Sequence, residues 1–206
     1  MSDMYIGVDE AGRGPVIGPL VVCAFASESQ DYLRELGVKD SKFLSKKKRN
    51  ELFEILSKMK HKVIVCSPER IDISPNLNSL EVELFAEALA DMPEGSIMLD
   101  ACDVNEERFA KNVSKLSERE CSAEHKADEN HPEVSAASII AKVTRDKIID
   151  ELKDEIGFDI GSGYPSDPKT KLAVAELVKG KLPHDCLRWS WKTVENAMGR
   201  APPLRK

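Results

Sequence analysis

An α/β fold, with helices layered on a mixed β-sheet, is what this sequence predicts. Two observations carry the prediction. Two apolar runs of strand length lead the chain. After them, helical periods and further strand-like runs alternate, which indicates layers rather than a bundle or a sandwich. Aromatic residues make up only 5% of the chain, so the core is expected to be aliphatic. A length of 206 residues leaves room for one well-buried domain and a small appendage.

Taken in order, residues 5–9 and 20–26 read as strands joined by the Gly/Pro loop AGRGPVIGP, a hairpin-like pair. Residues 45–58 read as a helix with Ser45 as N-cap and Leu52, Ile55 and Leu56 as its apolar stripe. Residues 62–66 form a β-branched strand closed by Pro68. Residues 78–91 are an amphipathic helix carrying Leu80, Leu84, Ala88 and Leu89. SIMLD, residues 96–100, is a short buried strand; 105–111 is a helix and 120–124 a short strand. Residues 134–156, after Pro132, are the longest helical stretch. GSGYPSDP is a loop, and short helices near 168–179 and 191–198 complete the pattern. This divides the chain into a main α/β domain, residues 1–160, and a small helical extension, residues 161–206.

Charge narrows the function. The net charge of −6 speaks against a nucleic-acid partner until its distribution is considered. Residues 161–206 carry net +5 and residues 1–160 carry −11. Within the acidic part, VKDSKFLSKKKRN sets Lys39, Lys42, Lys46, Lys47, Lys48 and Arg49 against Asp40. Two basic patches around an acidic centre suit an enzyme that grips phosphates and holds cations between the grips. The plainer alternative is a solvated helix face and a charged tail. No apolar run reaches the ~18 residues of a membrane span. MSDMYIGVDEAG lacks the basic and apolar regions of a signal peptide, which places the protein in the cytoplasm. The five cysteines include no CxxC pair and read as packing residues.

The chemistry lies in the acids. Asp9 and Glu10 end one apolar strand and Asp100 ends another, and strand ends are where α/β folds collect their sites. Neighbours on a strand face opposite sides, so the chain must be turning at Glu10 if both are to serve one site. Asp103 competes with Asp100. Asp128 lies before the long helix, with Glu124 and Glu129 as rivals. Carboxylates without Cys or His company prefer hard cations, Mg²⁺ or Mn²⁺, and four acids around two ions about 4 Å apart suit phosphodiester hydrolysis. The four histidines show no spacing for zinc or a triad. Gly12-Arg13-Gly14 is a bend that brings backbone close to a sugar or phosphate, without the P-loop pattern. Alanine at either glycine is expected to harm function more than its size suggests. Tyr164 is an aromatic on a loop, a packing residue or a stacking platform.

GVDEAGRGPVIGPLVV, DSKFLS, LDACDVN, EHKADE, SAASIIAKVTRD and GSGYPSDP, in this order over residues 5–191, closely resemble type 2 ribonuclease H, with an archaeal character. The resemblance implies an RNase H-like mixed sheet flanked by helices with a small C-terminal helical extension. It implies a metal-binding carboxylate set at Asp9, Glu10, Asp100 and Asp128, two divalent ions, and a cut 5′ of a ribonucleotide that leaves 3′-hydroxyl and 5′-phosphate ends. It places 2′-hydroxyl reading on Gly12, Arg13 and Gly14, sugar packing on Tyr164, and phosphate contacts on Lys42 and Lys142, which Lys46 in the basic block is expected to join. RNA–DNA hybrid and ribonucleotide-containing duplex DNA are the partners expected, with a sliding clamp as a candidate and a monomer as the working form. Two departures stand out: Cys102 occupies a position where a small residue is expected, and the short C-terminus is expected to weaken substrate grip. Asp128 and Tyr164 separate the chain from the type 3 relatives. Two rivals stay open: a DNA-branch nuclease of the same superfamily, and a nucleotide-binding regulator using AGRGPVIG as its cradle.

Overall fold

The computed structural model describes residues 4–38 and 44–205. In chain order its elements are β1 (Tyr5–Ala11), β2 (Leu20–Ser27), α1 (Gln30–Glu35), α2 (Lys46–Leu56), β3 (His61–Cys66), α3 (Pro68–Ile73), α4 (Leu77–Leu89), β4 (Ser96–Asp100), α5 (Glu106–Ser117), β5 (Cys121–Glu124), α6 (Ala127–Asn130), α7 (Pro132–Ile156), α8 (Pro168–Leu177) and α9 (Lys192–Met198). The sheet order is β3-β2-β1-β4-β5. β1 pairs antiparallel with β2 and parallel with β4, which pairs parallel with β5. This is the mixed sheet expected from the order of the elements. β2 sits between β3 and β1 and is buried along its whole length, which is why LVVCAFAS shows no alternation.

Capping explains most boundaries. Ser45 starts α2 by accepting the Lys48 N–H, as expected. Asn76 does the same for α4 through the Ser79 N–H. Three short helices were not expected from the sequence: α1, α3 and α6. At α3, the proline that closes the strand also opens a helix, because Pro68 occupies its first turn and the Ser67 side chain caps it. The helix expected at 105–111 continues to Ser117 because Phe109, Ala110 and Val113 keep an apolar face buried.

Two compact units emerge from the packing. The first comprises Met1–Ala11, Val21–Ile64 and Asn76–Thr144. Its core includes Ile6, Val8, the β2 side chains from Val21 to Ala26, Leu52, Leu80, Leu84, Phe85, Leu99 and Phe109, with Phe85 and Phe109 edge-to-face at 5.1 Å. The second comprises Gly12–Leu20, Val65–Pro75 and Arg145–Lys206. Its core gathers Val16, Ile17, Ile149, Ile160, Val174, Leu187 and Val194. The expected extension, residues 161–206, lies wholly in this second unit, which also takes in 12–20, 65–75 and 145–160. Backbone hydrogen bonds tie the early loop in: Val16 N–H donates to Gly163 at 2.8 Å, Gly18 N–H to Cys186 at 2.9 Å, and Arg188 N–H to Val16 at 2.9 Å. Among the described residues no helix is long and apolar enough to cross a membrane.

Candidate active site

The parallel register of β1 and β4 builds the carboxylate group. Val8 pairs with Leu99, so the next residue of each strand, Asp9 and Asp100, stand side by side at one end of the sheet. Side chains two apart on a strand share a face, so Asp9 lies on the face of Gly7. A Cβ on Gly7 would stand 2.3 Å from the backbone of Glu133 and Val134, so glycine is what lets the start of α7 press on this face. From α7, Ser138 hydrogen-bonds Asp9, and Lys142 acts on Asp9 by its charge while donating to Ser138 Oγ at 2.6 Å. The two are one turn apart and share a helix face.

Glu10 corrects the expected turn. β1 stays paired with β2 through Glu10 and Ala11, so the strand has not turned at Glu10. Its pairing with β4, however, stops at Val8. One oxygen from each of Asp9, Glu10 and Asp100 lies within 4.8 Å of the others. Glu10 also comes within the same distance of the fully buried Glu81 on α4 and of the Cys102 thiol just past β4. Cys102 Sγ donates to Glu10 Oε2 at 3.3 Å, and burial, then the Glu10 and Glu81 charges, holds the thiol well above its ordinary range, as a neutral donor.

The other acids sort themselves by partner. Asp100 Oδ1 accepts the Ala127 N–H at 2.9 Å, which anchors α6 and its Asp128. Asp128 is 2% exposed and raises the proton affinity of both Asp9 and Asp100, although it stands outside the tight group of three. Its rivals are otherwise engaged: Glu124 with His131 and Asn130, Glu129 with Lys126. Asp103 is held by the Arg108 guanidinium, which lowers its pKa and takes it out of contention.

The electrostatics are those of a site short of positive charge. Burial, then Glu10, pushes Asp9 up to about 8, against the pull of Lys142 and Ser138. Burial, then Asp9, pushes Asp100 up to about 7, and burial, then Glu81 and Asp100, pushes Glu10 up to about 6. Hard oxygen donors this close, each with raised proton affinity, have the donor chemistry that Mg²⁺ or Mn²⁺ takes.

The second group of expected residues lies in the second unit. Gly12 has φ +91°, and an added Cβ would stand 2.3 Å from Arg145 Nε and 2.8 Å from the Pro19 carbonyl. Gly14 differs: a Cβ there would meet only the Tyr164 ring, at an ordinary 3.5 Å. Of the two, only Gly12 sits in left-handed backbone against a buried side chain, so the fold itself requires glycine at 12 and not at 14. Gly12→Ala is expected to cost on the order of 1–3 kcal/mol of stability and most of the activity. Gly14→Ala should melt like wild type. Melting curves and kcat/KM for both variants check this, and equal damage would refute the distinction.

Tyr164 is 43% exposed beside Gly14, with the Arg145 guanidinium 5.9 Å from its ring centre. Arg13 is half-buried. Lys46 lies on the exposed first turn of α2 and is not among the charges acting most strongly on Asp9, Glu10 and Asp100. Lys42 lies outside the described residues. Sequence reading missed Ser138, Glu81, Arg145 and Arg188. Glu81 had a signal, since it shares the helical period of Leu84, Phe85 and Ala88.

Comparison with known proteins identifies the family. A family model described as Ribonuclease HII matches residues 6–194. The ribonuclease HII of Methanocella arvoryzae is 48% identical over 202 residues, covering 93% of this chain and 90% of that protein. The ribonuclease H2 structure from Pyrococcus horikoshii has a TM-score of 0.88 at 42% identity, covering 95% of this chain and 97% of that one. The ribonuclease HII chain in a PCNA complex from Archaeoglobus fulgidus has a TM-score of 0.85 at 43% identity, covering 92% and 95%. With its sheet, its flanking helices and its sequence all matching over nearly the full length, the chain belongs to the ribonuclease HII family of nucleases.

Proposed function

We propose that this nuclease hydrolyses the RNA strand of RNA–DNA hybrids and cuts 5′ of ribonucleotides embedded in duplex DNA, leaving 3′-hydroxyl and 5′-phosphate ends. The observation that carries the reading is the tight group of Asp9, Glu10 and Asp100, with Asp128 adding its charge, in a chain of this family. These four acids would hold two divalent ions, Mg²⁺ or Mn²⁺. Such ions lower the pKa of the attacking water and stabilise the leaving oxygen. Lys142, beside Asp9, is suited to a scissile-strand phosphate. Lys46 and Lys42 would grip phosphates further along the duplex. The backbone of Gly12, Arg13 and Gly14 would read the 2′-hydroxyl, with the Tyr164 ring against the adjoining sugar.

At a DNA-to-RNA step the nucleotide leaving with its 3′-oxygen has no 2′-hydroxyl, so water must be the nucleophile. One gel tests the whole reading. A duplex with one ribonucleotide, an RNA–DNA hybrid and plain DNA are each incubated with Mg²⁺, Mn²⁺ or EDTA. Cleavage of the first two, only with metal and without a 2′,3′-cyclic phosphate, is expected. Cleavage of plain DNA or of all three in EDTA would overturn it. Tyr164→Phe should retain most activity, and Tyr164→Ala should lose preference for the DNA–RNA junction roughly tenfold, on the scale of one base-stacking contact of ~1–3 kcal/mol. An unchanged cleavage pattern in Tyr164→Ala would remove that assignment. Because the Archaeoglobus relative was solved in complex with PCNA, a sliding clamp is the protein partner proposed here.

A further inference from the structure

Within the second unit, one side chain holds three backbone carbonyls of the segment that carries Gly12, Arg13 and Gly14. Arg188 is 0% exposed. Its guanidinium donates to the carbonyls of Gly12, of Arg13 at 2.8 Å and of Gly18 at 3.1 Å. Its charge lies 4.9 Å from the Trp191 ring, and the Trp191 Nε1–H donates to the Gly14 carbonyl at 3.3 Å. Arg145 completes the set on the Ile17 and Pro19 carbonyls. Burying a guanidinium is costly, and an apolar residue would pack this volume without that cost. What only the planar, multi-donor fork supplies is direction to several carbonyls at once.

Peptide geometry turns that into a statement about recognition. No peptide bond in the described residues is cis. In a trans peptide the carbonyl of one residue and the N–H of the next point in opposite directions. Holding the Gly12 and Arg13 carbonyls therefore aims the N–H groups of Arg13 and Gly14 away from Arg188. The geometry points to Arg188 as a positioning residue for ribonucleotide recognition, which holds two peptide planes so that the Arg13 and Gly14 N–H groups face a 2′-hydroxyl. This rests on the reading that this loop recognises the ribonucleotide.

The test is a binding discrimination, measured in Asp9→Asn protein with Mg²⁺ so that the substrate survives. Fluorescence anisotropy gives the affinity for a duplex with one ribonucleotide and for the same duplex in all-DNA form. Adding Arg188→Lys, which keeps the charge and loses the fork, should lower the ribonucleotide preference at least fivefold. The all-DNA affinity should stay within twofold. Trp191→Phe, which deletes one N–H, should lower the preference two- to threefold, and it decides the matter if Arg188→Lys fails to fold by circular dichroism. A folded Arg188→Lys with undiminished preference would overturn the inference, as would equal loss of affinity for both duplexes. If the Asp9→Asn parent itself shows no preference, it is the ribonucleotide reading of the loop that fails.

Discussion

Asp9→Asn, Glu10→Gln, Asp100→Asn and Asp128→Asn should each lower turnover by roughly 10²-fold or more, the scale of losing one preorganised charge-stabilising group. The geometry explains why such small changes suffice. Asp9, Glu10 and Asp100 converge from two strands on one point, and each substitution removes a charge from a group whose other members are fixed by the sheet. Asp100→Asn keeps the oxygen that accepts the Ala127 N–H, so the fold around α6 should survive and the loss should fall on the chemistry. Asp103→Asn is the control. That acid is bound to Arg108, and turnover should drop by less than threefold. Rates at saturating Mg²⁺ decide it: near-normal turnover in Asp9→Asn would remove the carboxylate group from the mechanism.

In EDTA at pH 7–8 the Asp9→Asn protein should melt at a higher temperature than wild type. The folded-state pKa values are raised: Asp9 from 3.8 to about 8, Asp100 from 3.8 to about 7, and Glu10 from 4.5 to about 6. A raised group contributes stability that is fully present below its unfolded pKa and is lost as pH rises through the folded value. For these acids the loss runs from about pH 4 to pH 8. By pH 8 the metal-free wild type has lost that contribution, on the order of several kcal/mol from Asp9 alone. An asparagine never ionises, and it also relieves Asp100, whose second-largest upward push comes from Asp9. The gap should therefore be several degrees at pH 8 and shrink towards pH 4. Millimolar Mg²⁺ should narrow it at pH 8 by stabilising the folded wild type. A wild type that melts higher than the variant in EDTA at pH 8 would mean that Asp9 is chiefly a structural hydrogen-bonding residue.

Which features were legible in the sequence follows from how local their causes are. SIMLD shows both its strand and its terminal acid, because five consecutive residues suffice for a buried strand and its end. Asp9 was legible for the same reason. Glu10 was misread locally: alternation implied a turn, whereas the strand stays paired with β2 through Glu10 and its carboxylate still joins Asp9 and the Asp100 of a strand 90 residues away in sequence. Asp128 could be separated from Glu124 and Glu129 only by their partners, which no spacing displays. Ser138 reads as a helix residue and Lys142 only as a phosphate contact implied by the resemblance, because their bearing on Asp9 depends on the closeness that Gly7 permits. Arg188, in CLRWSW, looks like an ordinary surface cation near the chain's end, since its partners are 170 to 176 residues distant.

That separation sets an order of events during synthesis. Gly12, Arg13 and Gly18 leave the ribosome before Arg188, and the guanidinium that holds their carbonyls follows about 170 residues later. At 5–20 residues per second this is a wait of roughly 10–35 s. Every stretch of the first unit, which holds the carboxylate group, has been translated by Thr144. A nascent chain thus has its acids before it has the residue that orders the loop, and a ribosome stalled short of codon 188 would carry a polypeptide with all four carboxylates and no Arg188 to fix the Gly12 and Arg13 peptide planes.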